Sequence, residues 1–429
     1  MIGGAMSFEQ ENRQALIDYF KGGAKGDASR KALGVEVEHF VVHAEDLREV
    51  PYAADDGGFC VREVLEYLRR FYPRETYTRQ GDLIGLDSPE ASITLEPAAQ
   101  IEISIAPYSS IATIMEVYGR FRERIDGFLA EHGCKLVNCG YQPRQKALDL
   151  ALIPKQRYRY MNEYFAGIGT HGERMMRASC STQVSVDYRD EADAVRKLRV
   201  AQALAVVLAS IAENATVFEG EPTTARLVRL NLWRDVDDDR CGSIPGLFKE
   251  GYGFEDYVDW VLSTCPIFIT RPAADDPDGV PTRSMIGRTA QEAYADAPMS
   301  KDDVEHLLSM FWPDVRLKRF VEIRPGDSLP APAIAGYTAL VKGIFYDEGS
   351  LAAVEEKLGV KDGVWPLTDA STNEALAAVR RDGDAAVIYG DSLVGWQDFL
   401  LDAARRALPF DERPYLDALV ERLARRRGE

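Results

Sequence analysis

Residues Gly34–Val42 read GVEVEHFVV. Successive side chains alternate across a strand, so Glu36 and Glu38 share one face while Val35, Val37 and His39 share the other. His39 falls on the apolar side and reads as a satisfied core histidine rather than a ligand. Four further segments carry the same signature. In Leu95–Ile105 (LEPAAQIEISI), Gln100, Glu102 and Ser104 oppose Ile101, Ile103 and Ile105. In Arg177–Tyr188, Ser181, Gln183, Ser185 and Asp187 alternate with Val184 and Val186. In Arg226–Trp233 (RLVRLNLW), Arg229, Asn231 and Trp233 oppose Val228, Leu230 and Leu232, and in Arg319–Pro325, Glu322 and Arg324 oppose Val321 and Ile323.

Strands that are apolar on one face and polar on the other predict an α+β fold with a largely antiparallel sheet. Its apolar face packs on helices, and its other face forms a floor rich in carboxylates. Period-3.6 patterning places helices over Ile111–His132, Glu191–Asn214, Lys301–Phe311, Leu351–Leu358, Thr372–Arg381, Gly395–Ala407 and Tyr415–Arg427. The last ends in Arg425, Arg426 and Arg427, which complement the helix C-terminal dipole and read as a solvated tail.

The polar face is unusual in composition. It collects Glu36, Glu38, Glu102, Glu322 and Glu96, whereas exposed strands mix charges and favour Thr. Like charges brought together repel unless hard cations bind among them. Oxygen-only donors suit Mg²⁺ or Mn²⁺.

The chain has 429 residues, 51 basic against 69 acidic, and a formal net charge of −18. That balance argues against nucleic-acid binding and against an anionic membrane surface, both of which need a cationic face. No apolar run reaches the roughly 18–20 residues of a membrane span. The N-terminus lacks a signal pattern, and Met1–Ala5 before Met6 resembles a short leader. Six cysteines without a CxxC pair fit a reduced, cytoplasmic protein. No linker divides the chain, so residues 1–429 are expected to form one domain, with Arg271–Gly279 as a loop inside it.

Taken in order, these segments resemble the glutamate–cysteine ligase family of the plant and proteobacterial type. GVEVEHF (Gly34–Phe40) is similar to its first metal strand. LEPAAQIEIS (Leu95–Ser104) is similar to its LEPGGQ signature and the strand that follows. MRASCSTQVSVDY (Met176–Tyr188) resembles its Gln-bearing strand, WRDVDDDRCG (Trp233–Gly242) its Trp-x-Asp-x-Asp loop, and VRLKRFVEIR (Val315–Arg324) its late Glu-x-Arg strand. The core motifs span 33–347, and 348–429 form a C-terminal helical part. Two departures stand out: Ala98 and Ala99 replace paired glycines, and Ser185 and Asn231 replace a common Asn and Arg.

The resemblance implies a glutamine-synthetase-like fold, a curved sheet floored with metal carboxylates. It also implies a cytoplasmic enzyme of glutathione biosynthesis that uses ATP and Mg²⁺ or Mn²⁺ to join glutamate to cysteine through γ-glutamyl phosphate. Glu36, Glu38, Glu96, Glu102 and Glu322 are the expected metal ligands. Arg324, Glu322 and Glu102 are the expected catalytic groups. Arg324 and Lys155, with Arg159 beside it, would contact phosphate. Arg229, Gln183 and Trp233 would bind glutamate. Alternatives are a ligase for a different amine, a guanidino-kinase-like phosphotransferase, or a non-catalytic binder of ATP or amino acids.

Overall fold

The computed structural model describes residues 7–26, 31–54, 57–271 and 282–428. The Met1–Ala5 leader and the expected loop after Arg271 lie outside the described residues.

The opening stretch lies within β1 (Leu33–His43), the middle strand of a nine-stranded sheet. The other strands are β2 (Arg74–Tyr77), β3 (Leu83–Asp87), β4 (Ala91–Leu95), β5 (Ile101–Tyr108), β6 (Cys134–Val137), β7 (Thr182–Val186), β8 (Val315–Leu317) and β9 (Val321–Ile323). Their order is β8-β9-β7-β1-β5-β4-β3-β2, with β6 paired to the C-terminal half of β1. Every pairing is antiparallel.

Register explains why the polar residues meet. Residues directly opposite one another in an antiparallel pair point to the same face. Glu36 stands opposite Ser104 on β5 and Gln183 on β7, and Glu38 opposite Glu102. Glu322 stands between Ser185 and Arg316. The other face is dry: Val35, Val37, Ile101, Ile103, Val184, Val186, Val321 and Ile323 are all fully buried.

Helices Ile111–Glu131, Glu191–Ile211 and Ala331–Phe345 pack on the sheet. Ser110 and Asp190 cap the first two with side-chain bonds to the third backbone N–H. His39 joins this layer as expected of a core histidine, with Nδ1 3.1 Å from the Ile101 carbonyl and Nε2 2.9 Å from the Tyr118 hydroxyl. Burial lowers its pKa to about 3, so it stays neutral.

One apolar cluster runs from Leu16 to Leu423 and takes in the C-terminal helices Glu348–Lys357, Leu393–Ala407 and Asp417–Arg427. These pack on Ala331–Phe345. Gly343 permits the closest crossing, since a Cβ there would sit 2.6 Å from the Ala404 Cα. All six cysteines are free thiols. Among the described residues no helix is long and apolar enough to cross a membrane.

Three expectations change. Arg226–Trp233 is not a strand: Val228–Trp233 is a short helix. Short apolar runs fit either period, and here packing decides, with Val228 and Leu232 seated on one small cluster and Leu230 in the main core. The Gln-bearing segment also begins as helix, Gly172–Ala178, before β7. Finally, Gln100 leaves the polar face to tie the turn 96–100 to its neighbours. Its Oε1 accepts from Ala98 N (2.8 Å), and its Nε2 donates to the carbonyls of Met176, Arg177 and Ser179.

Candidate active site

A cleft of about 460 Å³ opens over the polar face. Its floor is Glu36 and Glu38 from β1, Glu102 from β5 and Glu96 from the turn before it. Its rim holds six cations: Lys155, Arg157, Arg229, Arg316, Lys318 and Arg324. Of the side chains expected to bind metal, phosphate or glutamate, all line this cleft except Glu322, which lies beneath it, fully buried, and Arg159.

The carboxylates differ in how far the protein satisfies them. Glu38 accepts from Ser181 N (2.6 Å) and Gln183 Nε2 (3.3 Å). Glu102 accepts from Thr94 Oγ1 (2.8 Å) and Ser104 Oγ (3.0 Å). No described residue hydrogen-bonds the side chain of Glu36 or Glu96. Burial, followed by repulsion from Glu102 and Glu322, raises Glu36 to about 7. Burial, followed by repulsion from Glu96, raises Glu38 to about 8. Glu96 and Glu102 also move up, burial again being the main cause. This floor lacks positive charge of its own.

Glu322 behaves in the opposite way. Arg316 grips it with both Nε (2.6 Å) and Nη2 (3.0 Å), while Lys318 (3.3 Å) and Arg324 (3.2 Å) complete its shell. Burial pushes its pKa up, but these three cations outweigh it and hold the carboxyl well below the usual range. The metal-ligand role expected of Glu322 does not match this placement. Both oxygens are occupied, and the residue acts as the counter-ion that anchors three rim cations.

Arg324 donates to Gln183 Oε1 (2.5 Å) and lies 5.7 Å from the Trp233 ring centre. Arg229 projects from the Val228–Trp233 helix. Its Nη1 donates to the carbonyls of Arg324 (3.0 Å) and Gly326 (3.5 Å), and its buried Nε has no acceptor. Arg229 and Trp233 share the cleft because they are four apart on a helix, not because they alternate on a strand. Asn231 consequently turns away and bonds the Arg226 carbonyl (2.8 Å), so its departure from the family pattern lies outside the cleft. Ser185 lines a neighbouring cavity instead.

Lys155 precedes the helix Gln156–Phe165, with Nζ 4.8 Å above the Tyr158 ring. Arg159 does not join it: that side chain is exposed and pairs with Glu163. Arg157 lines the cleft in its place, braced by Ser309 through Oγ (2.8 Å) and O (2.7 Å). Arg157, Arg316 and Lys318 were missed in the sequence. For the last two a signal existed, since Arg316 and Lys318 alternate in VRLKRF as Glu322 and Arg324 do after them. Arg157 had none, because an exposed and a cleft-facing arginine look alike in QRYRY.

Residues 32–425 match glutamate-cysteine ligase family 2 (GCS2). The chain belongs to this family. Glutamate–cysteine ligase B, chloroplastic, of Oryza sativa subsp. japonica is 30% identical over 87% of this chain and 72% of its own. The chloroplastic glutamate–cysteine ligase of Arabidopsis thaliana is 30% identical over 81% of this chain and 65% of its own. A solved glutamate–cysteine ligase of Francisella tularensis in complex with AMP is 12% identical and covers 91% of this chain and 81% of its own, with a TM-score of 0.49.

Membership gives the LEPAAQ turn a physical reading. Ala99, where the family pattern has glycine, sits at φ 66°, in the left-handed region. The turn keeps the backbone that glycine favours and bears the strain of a Cβ there.

Proposed function

We propose that this cleft joins the γ-carboxylate of L-glutamate to the amine of L-cysteine at the expense of ATP, through γ-glutamyl phosphate, giving γ-glutamylcysteine, ADP and phosphate. The observation that carries the reading is the opposition of four carboxylates and six cations across one cleft in a member of this ligase family. Acyl-phosphate chemistry needs both signs. Cations must hold the substrate carboxylates and the transferring phosphoryl group, and carboxylates must hold the metal that accompanies the nucleotide.

The donor set fits Mg²⁺ or Mn²⁺ under one condition. All four floor donors are carboxylates, yet among the described residues no three acidic, His or Cys side chains converge closely enough to hold one ion. Each ion would therefore take one or two of Glu36, Glu38, Glu96 and Glu102, and complete its shell with phosphate oxygens and water, the usual habit of Mg²⁺. Bound there, the metal would supply neutralisation of the charge shared by the phosphates and the attacking carboxylate.

The protein's own groups do the rest. Arg229, with Nη1 anchored by two carbonyls, presents its remaining guanidinium edge to the glutamate α-carboxylate. Arg324, oriented by Gln183, Glu322 and Trp233, meets the transferring phosphoryl oxygens, with Arg157 and Lys155 across the cleft. Across Glu36 lies a second cavity of about 730 Å³, lined by Gly34, Ile105, Pro107, Val186, Arg319 and Phe320. Its apolar walls suit a nucleotide base, which would bring the γ-phosphate towards Glu36. The six free thiols suit a reducing compartment.

The test is ADP release by the purified protein with glutamate plus each proteinogenic amino acid, and mass identification of the product. Release that requires glutamate and cysteine together, with γ-glutamylcysteine formed, supports the reading. ADP release without an amide product, or with an amine other than cysteine preferred, overturns it.

A further inference from the structure

Of the C-terminal arginines expected to form a solvated tail, only Arg425 is exposed; Arg426 and Arg427 are tied down. Arg426 donates to the Ser210 carbonyl (2.6 Å) and to Glu213 (3.3 Å), and Arg427 to Gln397 Oε1 (2.7 Å). Arg422 donates to the Glu213 carbonyl (3.2 Å) and Asn214 Oδ1 (3.1 Å). Between the helix Asp417–Arg427, the end of Glu191–Ile211 and the loop before Arg229 lies a cavity of about 530 Å³.

Its charge is inverted relative to the whole molecule. Arg226, Arg422, Arg425 and Arg426 line it beside Glu213, in a chain whose net charge is −18, while Asp384 behind the wall pairs with Arg226 Nη1 (3.1 Å) and Arg426 Nη2 (3.6 Å). Several donors are also left over. Nη2 of Arg226, Nε of Arg422 and Nε of Arg426 are buried without a hydrogen-bond acceptor. Arg425 has no side-chain hydrogen bond or ion pair among the described residues. Four guanidinium groups with spare donors around one cavity make a receptor for a small multivalent anion, and the hydroxyls of Thr216 and Thr224 on the same wall add neutral donors.

The wall of this cavity is also the back support of Arg229. Glu213 accepts from Arg226 Nε (2.8 Å) and from the N–H of Leu227 (2.5 Å), the residue at φ 55° that starts the helix bearing Arg229 and Trp233. Its neighbour Asn214 donates its N–H to Asp327 (2.7 Å), next to Gly326, whose carbonyl holds Arg229. Two consecutive residues thus tie the cavity arginines to both holders of Arg229.

We propose that this cavity is a regulatory site for a small multivalent anion, carrying phosphate or several carboxylates, and that its occupancy changes the grip of Arg229. An anion drawing Arg226 and Arg426 away from Glu213 loosens the hold on Leu227 and so on the first turn of the helix. The binding site stands on the cavity alone, whereas its effect on glutamate rests on the function proposed above.

The experiment is calorimetric titration of the whole protein with pyrophosphate and, separately, with citrate, at matched ionic strength. The proteins compared are the wild type, Arg425→Glu and the double variant Arg422→Gln/Arg426→Gln. Arg425→Glu breaks no contact, so it keeps the fold even if the double variant does not. Binding by the wild type that weakens at least tenfold in Arg425→Glu supports the site, and the stronger of the two anions identifies the preferred chemistry. Equal binding by the wild type and Arg425→Glu places the anion in the catalytic cleft and overturns the proposal, as does no binding of either anion. The KM for glutamate, measured with and without the tighter anion, should shift at least threefold in the wild type and not in Arg425→Glu. Binding without that shift refutes the regulatory coupling while leaving the ligase reading untouched.

Discussion

Glu38→Gln isolates the electrostatics of the carboxylate floor. Glu38 faces Glu102 across the β1–β5 register and titrates at about 8, against an ordinary value of 4.5. Below about pH 4.5 both folded and unfolded states carry the proton, and the group contributes nothing to the pH dependence. Between there and about pH 8 the unfolded chain ionises while the folded one keeps its proton. Stability without metal therefore falls as pH rises, by about 1.4 kcal/mol per pH unit, and levels off above pH 8. By pH 7 the accumulated penalty is about 3 kcal/mol.

Glutamine removes that penalty and keeps an acceptor for Ser181 N. It gives up the longer bond from Gln183 Nε2, worth about 1 kcal/mol. The variant should therefore gain about 2 kcal/mol at pH 7 and lose about 1 kcal/mol at pH 4.5. The assay is urea denaturation in EDTA at a series of pH values from 4.5 to 8. Crossing curves, the wild type declining more steeply, are expected, together with at least a hundredfold loss of ADP release despite the higher stability. Parallel curves would show that the floor is not electrostatically stressed, and the argument for a metal there would fall with it.

Arg229→Lys should raise the KM for glutamate roughly ten- to a hundredfold, the equivalent of a lost charged hydrogen bond of about 1.5–3 kcal/mol, with the KM for ATP little changed. Steady-state kinetics check this, and a rise confined to ATP would refute it. Arg324→Lys should instead depress kcat more than either KM, since its contact strengthens in the phosphoryl-transfer transition state. A variant that changes only KM would show that Arg324 binds the ground state. Ala99→Gly relieves a left-handed alanine and should stabilise the protein by about 1 kcal/mol, read from the denaturation midpoint. A destabilised variant would mean that the Ala99 methyl packs usefully in the core.

Alternation in GVEVEHFVV and QIEIS was enough to place Glu36, Glu38 and Glu102 on one face, because a strand's side-chain period is two whatever surrounds it. The apolar residues between them likewise settled which face the helices cover. The order of the motifs was enough to indicate the family. What local pattern could not decide was which period RLVRLNLW obeys. Eight residues fit a strand or a helix turn, and the pockets waiting for Val228, Leu230 and Leu232 chose the helix, which brought Arg229 and Trp233 together and sent Asn231 away.

Nor does a sequence show which partners a charge will find. Glu322 looked like its fellow acids, yet β8 and β9 pair Arg316 against it, and Lys318 and Arg324 close around it. Arg157 and Arg159 are chemically identical, but two positions along one helix turn them to different sides, Arg157 to Ser309 and the cleft and Arg159 to Glu163 and solvent. The sequence by itself determined the faces of β1, β5, β7 and β9, the carboxylate inventory and the family. Tertiary structure decided which acids stay unpaired and which arginines reach the cleft, because ionic partners come from strands and helices far apart in the chain.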